Sequence, residues 1–333
     1  MAVIPLLEGR TRLPVICSPM FLVSFPELVK AQCKAGLVGS FPALNARPEP
    51  ELERWIIDIR QELDAYQREH PDRIVAPFAV NQVLSAGNER AMRDIETCVR
   101  LKVPITITSL RAPNDVVKEV HAYGGIILHD VVNFRHAMKA LEAGVDGLIL
   151  VATGAGGHAG RLNPIALVNE IRAAYDGPLV LSGAISTGDG VLAAQAMGAD
   201  YAYMGTRFIA TKESHAPDGY KQAIVRGKAA DIVYTDFFTG VHGNYLRESI
   251  VAAGLDPDNL PASTMPRTGV PRQDGDSVKA WRDIWGAGQG VGPIQDVPDV
   301  ETLVQRLEAE YAAARSRILA ASNFRERAHL IAC

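Results

Sequence analysis

Leu148-Ile149-Leu150-Val151-Ala152-Thr153 runs directly into Gly154-Ala155-Gly156-Gly157-His158-Ala159-Gly160. An apolar strand thus empties into a loop of four glycines, two alanines and one histidine. With no Cβ atoms in the way, such a loop lets backbone N–H groups approach a ligand closely. His158 is its single side chain able to move protons near neutral pH. Glycine-rich turns also serve as plain connectors, and a lone histidine is commonly structural. Two folds compete for the stretch. Residues 154–159 fit the G-x-G-x-x-A dinucleotide fingerprint, and Asp176 lies 22 residues beyond Gly154, where an open doubly wound sheet places its ribose-binding acid. The same strand and loop also suit one unit of a closed (β/α)8 barrel, whose active-site loops follow its strands.

The rest of the chain decides. Short β-rich runs at 15–18, 37–40, 74–80, 105–108, 126–129, 147–151, 179–182 and 201–204 alternate with amphipathic segments such as 49–68, 89–101, 134–142 and 188–197. Near-continuous apolar strands separated by helices indicate a parallel sheet covered by helices. Gly36, Gly144 and Gly198 each end a helix and launch a strand, as suits a residue that tolerates the left-handed backbone. They are 108 and 54 residues apart, both multiples of 27, a sensible length for one β/α unit. Eight such units make a TIM barrel, the α/β fold expected here over residues 1–212. A small, mostly helical cap is expected after strand eight, over residues 213–275. Residues 276–333 are expected to pack back on the barrel, chiefly through a helix at 301–321. Residues 266–276 read as an exposed loop and 323–327 as surface tail.

At 333 residues and 47% hydrophobic composition the chain can build one large core. A net charge of −4 with no basic cluster argues against nucleic acid as a partner. No run of about 18 uncharged apolar residues calls for a membrane. Cys17, Cys33, Cys98 and Cys333 have neither C-x-x-C nor metal-ligand spacing, so no disulfide framework or zinc site is implied; Cys17, in an apolar strand, reads as core. The first residues lack a secretory leader pattern, and a cytoplasmic location is expected. The number of subunits is left open, a homodimer included.

Two further loops resemble a phosphate grip. The seventh strand ends in Ser182-Gly183-Ala184-Ile185-Ser186-Thr187-Gly188 and the eighth in Met204-Gly205-Thr206-Arg207. Barrels commonly hold phosphate with these loops and a helix N-terminus. Small residues expose N–H donors, while Ser182, Thr206 and Arg207 offer side-chain donors. The dinucleotide fingerprint, by contrast, belongs to the first β/α unit of an open sheet, whereas here the loop follows the sixth strand. The next helix also starts late, at Asn163-Pro164, where Asn can cap and Pro suits the first turn. The barrel is preferred.

With these pieces in place the chain resembles the nitronate monooxygenase family, once called 2-nitropropane dioxygenases, which also holds flavin-dependent enoyl-acyl-carrier-protein and NADH:quinone reductases. The likeness rests on Ser18-Pro19-Met20, Asn81, residues 155–160, Ser182-Gly183-Ala184-Ile185, Gly198-Ala199-Asp200, Met204-Gly205-Thr206-Arg207-Phe208 and Ala287-Gly288-Gln289-Gly290. It implies FMN at the C-terminal mouth of a TIM barrel. Ser18, Pro19 and Met20 would line the isoalloxazine, Asn81 would hydrogen-bond it, and Gly156 and Gly157 would lie against the cofactor. Ser182, Gly183, Ala184, Gly205 and Thr206 would hold the phosphate, and Gln289 would close the far side. His158 matches the catalytic histidine. The implied reaction is oxidation of an alkyl nitronate by O2 to a carbonyl compound and nitrite, with a small-molecule substrate and no metal.

The chain departs from the family pattern at three places. Gly154 stands where many members carry glutamate, Val151 where glutamine is common, and Asp130, beside His129, where quinone-reductase-like members have lysine. A histidine at the site can hydrogen-bond nitro oxygens or take an α-proton; as imidazolium it would stabilise an anion. The competing enzyme is an NAD(P)H-dependent reductase of an enoyl thioester or quinone, for which Arg226, Lys228, Arg247, Arg267 and Arg272 could meet CoA phosphates. A non-catalytic flavin- or phosphate-binding barrel is the third reading, and His158 argues against it.

Overall fold

The computed structural model describes residues 2–85, 88–263 and 280–321. The barrel strands are β1 (Val15–Cys17), β2 (Gly39–Pro42), β3 (Phe78–Leu84), β4 (Ile105–Leu110), β5 (Ile126–Val131) and β6 (Gly147–Val151). A two-residue strand, β7 (Gly157–His158), lies outside the barrel, which continues with β8 (Leu179–Ser182) and β9 (Tyr201–Met204). All eight barrel strands pair in parallel in the order β1-β9-β8-β6-β5-β4-β3-β2. A parallel bridge between Ile16 and Val38 joins the two ends, so the sheet closes into a TIM barrel. Around it run α1 (Pro26–Lys34), α2 (Pro50–Glu69), α3 (Glu89–Arg100), α4 (Val117–His121), α5 (Phe134–Glu142), α6 (Pro164–Arg172) and α7 (Gly188–Met197).

The local signals act where the sequence places them. Asn163 accepts from the Ile165 amide at 2.9 Å and Pro164 opens α6. Gly36, Gly144 and Gly198 all have positive φ. Strand three differs from expectation: it begins at Phe78 and runs to Leu84 rather than over 74–80. Pro77 has no N–H to give a ladder, and Ile74 is exposed. Asn81 consequently lies within the strand and not after it.

Side chains alternate across a strand, and that alternation builds the site. Apolar residues from or beside every strand, among them Ile16, Val38, Ala79, Ile107, Leu128, Ile149, Val180 and Tyr201, meet inside the barrel, closed below by Ile4 and Leu7. Two residues further along, the same inward phase reads Ser18, Asn81, Ser109, Asp130, Ser182 and Tyr203, with Val151 the apolar exception. The lumen is thus greasy in the middle and polar at its C-terminal end.

After β9 come α8 (Thr206–Ile209), α9 (Asp218–Arg226), β10 (Ile232–Thr235), β11 (Gly243–Leu246), α10 (Arg247–Ala252) and, after the undescribed stretch, α11 (Val300–Ala321). Beside its helices the segment after β9 carries an antiparallel hairpin, β10–β11, to whose edge β7 adds. α11 packs on α7, where Gly188 leaves no room for a Cβ against the α11 backbone, and Arg12 ties it to the barrel through Glu301 at 3.2 Å and through Glu308. No described helix is long and apolar enough to cross a membrane. The expected loop at 266–276 with Arg267 and Arg272, the 275/276 boundary, the 323–327 tail and Cys333 lie outside the described residues.

Candidate active site

The loop after β6 is less free than its composition suggests. Gly157 and His158 pair with Asn244 and Gly243 of β11, and a Cβ on Gly243 would come within 2.8 Å of the Gly157 carbonyl oxygen. Buried Asn244 donates from Nδ2 to the Ala155 carbonyl at 2.6 Å. The histidine is therefore set on a small sheet that it shares with the β10–β11 hairpin. Its Nε2 lies 2.9 Å from Oγ1 of Thr239, a buried residue of the β10–β11 connection. With the Thr239 hydroxyl donating to the Val241 carbonyl at 3.0 Å, Nε2–H is the donor to Oγ1. Nδ1 is left with the lone pair. Trp281 stands edge-on to the imidazole, ring centroids 5.3 Å apart.

His158 is half-buried, and burial pushes its pKa down to about 4. Near neutral pH it is an uncharged imidazole. The imidazolium expected as an anion stabiliser is not the resting form; a base or a neutral hydrogen-bonding group is. Thr239→Val should release the tautomer at a cost of about 1–2 kcal/mol, roughly a tenfold loss of turnover, and Thr239→Ser should restore most of it. Steady-state rates across pH check this; equal rates in all three proteins would make Thr239 a bystander.

Across the mouth, Ser18, Pro19 and Met20 follow β1 and are half-buried. Asn45, which sequence reasoning missed, staples this turn: it accepts from Leu22 N at 2.8 Å and donates to the Met20 and Ser24 carbonyls. A Cβ on Gly205 would reach 3.2 Å from the Ser18 Cβ, so the loops after β1 and β9 touch.

The floor is a polar chain. Asn81 Nδ2 donates to Ser109 Oγ at 2.9 Å, and Ser109 Oγ donates to Asp130 Oδ2 at 2.6 Å. Asp130 Oδ1 and the Tyr203 hydroxyl are buried without a partner among the described residues. Ser109 and Asp130 are the next positions in phase with Ile107 and Leu128; alternation puts them on one face, and closure of the sheet makes that face the lumen. His129 faces the other way; its Nδ1 lies 2.8 Å from Thr108 Oγ1, and burial lowers its pKa to about 4. It is a neutral structural residue.

The expected phosphate end comes together only in part. Ser182, Gly183, Gly205 and Thr206 are half-buried at the mouth. The Ala184 amide donates to Gly154 O at 3.2 Å, and Thr206 Oγ1 accepts from Gly288 N at 2.9 Å. Arg207 turns away, to Asp296 at 3.1 Å and the Ala210 carbonyl. The N-terminus of α7 is closed as well, because Gly188 N donates to Glu310 of α11 at 2.8 Å. Loop amides and the first turn of α8, rather than the N-terminus of α7, are what remains for an anion. Gly154 has φ +83°, and its absent Cβ would lie 3.0 Å from Gln289 Oε1, while Gln289 N donates to Gly154 O at 2.9 Å. A glutamate at 154 would have to displace Gln289.

Other groups drop out. Cys17 is buried, and burial raises its thiol pKa well above the usual range. Asp200 is held by Arg172 at 2.7 Å at the far end of β9. Arg226 pairs with Glu248 and Arg247 with Asp258. Among the described residues no group of three or more His, Cys, Asp or Glu could hold a metal.

Against known proteins, residues 57–310 match the family model described as nitronate monooxygenase. A Rhodococcus jostii protein named (3aS,4S,5R,7aS)-5-hydroxy-7a-methyl-1-oxo-octahydro-1H-indene-4-carboxyl-CoA dehydrogenase is 25% identical over 338 residues, covering 89% of this chain and 92% of that one. A Paraburkholderia phytofirmans nitronate monooxygenase is 26% identical over 349 residues, with the same coverages. Among solved structures, nitroalkane oxidase from Streptomyces ansochromogenes superposes with a TM-score of 0.76 at 23% identity, over 94% of this chain and 99% of that one. FabK from Thermotoga maritima gives 0.75 at 24%, over 95% and 97%. These two likenesses concern the fold.

Proposed function

Because the chain belongs to the nitronate monooxygenase family, we propose that it is an FMN-dependent oxidoreductase that oxidises alkyl nitronates, with O2 as oxidant, to a carbonyl compound and nitrite. The observation that carries this reading is His158: a neutral imidazole, fixed through Nε2 by Thr239, beside a mouth lined by glycines and a floor of unsatisfied polar atoms.

The residues suit a flavin. The orphaned Asp130 Oδ1 and Tyr203 hydroxyl offer polar partners to a ring edge, and buried polar atoms without partners are rare in native proteins. Ser18 to Met20 would flank the ring, Asn81 would hydrogen-bond it, and Gly156, whose missing Cβ lets the Ala287–Gly288 backbone close in, and Gly157, packed against Trp281, would lie beside it. Gly183, Gly205 and Thr206 would offer backbone amides to the phosphate; Ser182 adds a hydroxyl and Ala184 shapes the loop. Gln289 covers Gly154 from the C-terminal segment. When bound, FMN supplies the electron acceptor. His158 Nδ1 would take the α-proton from a neutral nitroalkane, or orient an anion that arrives already ionised. Trp281 excludes water on one side of the imidazole.

The test is an anaerobic rapid mix of the holoprotein with propyl nitronate, NADH or NADPH. Fast bleaching by the nitronate and slow or no bleaching by the nicotinamides is expected. Rapid, saturable reduction by NADH or NADPH with no response to nitronate would move the protein to the reductase reading. The name of the Rhodococcus jostii relative favours a CoA-thioester substrate for that alternative, but Arg226 and Arg247, two cations suited to CoA phosphates, are already paired.

A further inference from the structure

Asp130 has an unusual environment for a carboxylate. It lies on the inward phase of β5, two residues past Leu128 of the lumen core. One oxygen, Oδ2, accepts from Ser109; the other, Oδ1, is buried and makes no hydrogen bond. Asp130 takes part in no ion pair among the described residues. Around it, β3 contributes the amide of Asn81, β4 the Ser109 hydroxyl, β6 only Ile149 and Val151, and β9 the Tyr203 phenol, whose own pKa burial drives well up. Arg111, beyond β4, is turned to Asp115 at 2.9 Å. His129, on the opposite face of β5 with His136 near it, is uncharged, as is His158 in the loop after β6. Among the described residues no cation offsets a negative charge here, and a buried, unpaired carboxylate is costly. Burial accordingly raises the Asp130 pKa to about 6, even with the Ser109 hydrogen bond opposing the rise.

We propose that Asp130 is a hydrogen-bond donor of this site toward the polar edge of the bound flavin, present there as the neutral carboxylic acid, and that flavin binding therefore takes up a proton. The inference rests on the flavin reading above. An aromatic ring laid over Asp130 removes the water left at the mouth, and an acceptor atom on that ring is satisfied by COOH but repelled by COO⁻. Both effects favour the protonated form. The neutral acid also avoids opposing a negative charge on a reduced flavin.

The linkage has a definite sign. The apoprotein releases the Asp130 proton near pH 6, and the flavin complex retains it to higher pH. Between those two values the Kd for FMN weakens with rising pH by up to about tenfold per unit. The FMN phosphate also titrates near pH ~6, so the quantity to read is wild type relative to Asp130→Asn, which keeps an N–H donor but cannot ionise.

Kd is measured by flavin fluorescence quenching on apoprotein from pH 5.5 to 8.5. The ratio of wild-type to Asp130→Asn Kd is expected to rise by about tenfold or more between pH 6 and 8. Ser109→Ala, which removes the one bond that favours the anion, should move the onset of the rise to higher pH and serves where Asp130→Asn does not fold. Parallel pH dependences in wild type and Asp130→Asn, or an unmoved onset in Ser109→Ala, would overturn the proposal. Failure of the wild-type apoprotein to bind FMN at any pH would instead overturn the flavin reading, and this inference with it.

Discussion

His158→Asn is expected to lower turnover of a neutral nitroalkane by roughly 10²–10⁴-fold, the usual worth of a positioned general base, while leaving flavin content unchanged. Asparagine can occupy the same β7 position, because the β7–β11 pairing and the Asn244 side-chain amide grip backbone atoms of the loop and not the His158 side chain. What it cannot do is accept the α-proton at the place of Nδ1. With a nitronate that is already ionised, no proton has to be abstracted, and the loss should be smaller. The pH profile offers a second check. Burial holds His158 neutral down to about pH 4, so the wild-type base is already available at pH 5, and no ionisation near 6.5 from this residue should shape the rate between pH 5 and 8. Equal rates for parent and variant on both substrate forms, with flavin retained, would make His158 structural and the proposed chemistry wrong.

Thr206→Asp is expected to yield mostly apoprotein. Thr206 begins α8 beside Gly205, and its hydroxyl accepts from Gly288 N; the site proposed for the phosphate is formed by these amides and those near Gly183. Two unit charges about 4 Å apart at an effective dielectric of ~20 repel by about 4 kcal/mol, roughly three orders of magnitude in Kd. Thr206→Asn, similar in size to the aspartate but uncharged, should keep flavin far better and separates repulsion from loss of the Gly288 contact. The ratio of flavin to protein absorbance after purification reads both. Stoichiometric flavin in Thr206→Asp would move the phosphate elsewhere.

Much of the barrel was written locally. Strands β6, β8 and β9 and helices α5 and α7 fall where alternation and glycine punctuation place them, because each is bounded by short-range signals: a glycine in the left-handed region, or the capping Asn133 or Thr187. β3 shifted because one proline, Pro77, outweighed the β-propensity of the residues before it. Within the site, the glycines and His158 stood out by composition alone. Ser109 and Asp130 were present in the same pattern, as polar residues in the inward phase, but a period of two does not say which face is the lumen until the sheet closes.

What the sequence determined by itself is the order of strands and helices, their caps, and the loops that reach the C-terminal mouth, since these depend on interactions within a few residues. Only the tertiary structure decided the state of the chemical groups. Thr239 meets His158 across 81 residues of chain and selects its tautomer. Glu310 closes the α7 N-terminus from α11, and Arg207 leaves the mouth for Asp296. The imidazole is neutral and the Asp130 carboxyl is raised because of what packs around each. Desolvation depends on every neighbour in space and hydrogen bonding on angles set by closure of the sheet, and neither is encoded in the spacing of residues along the chain.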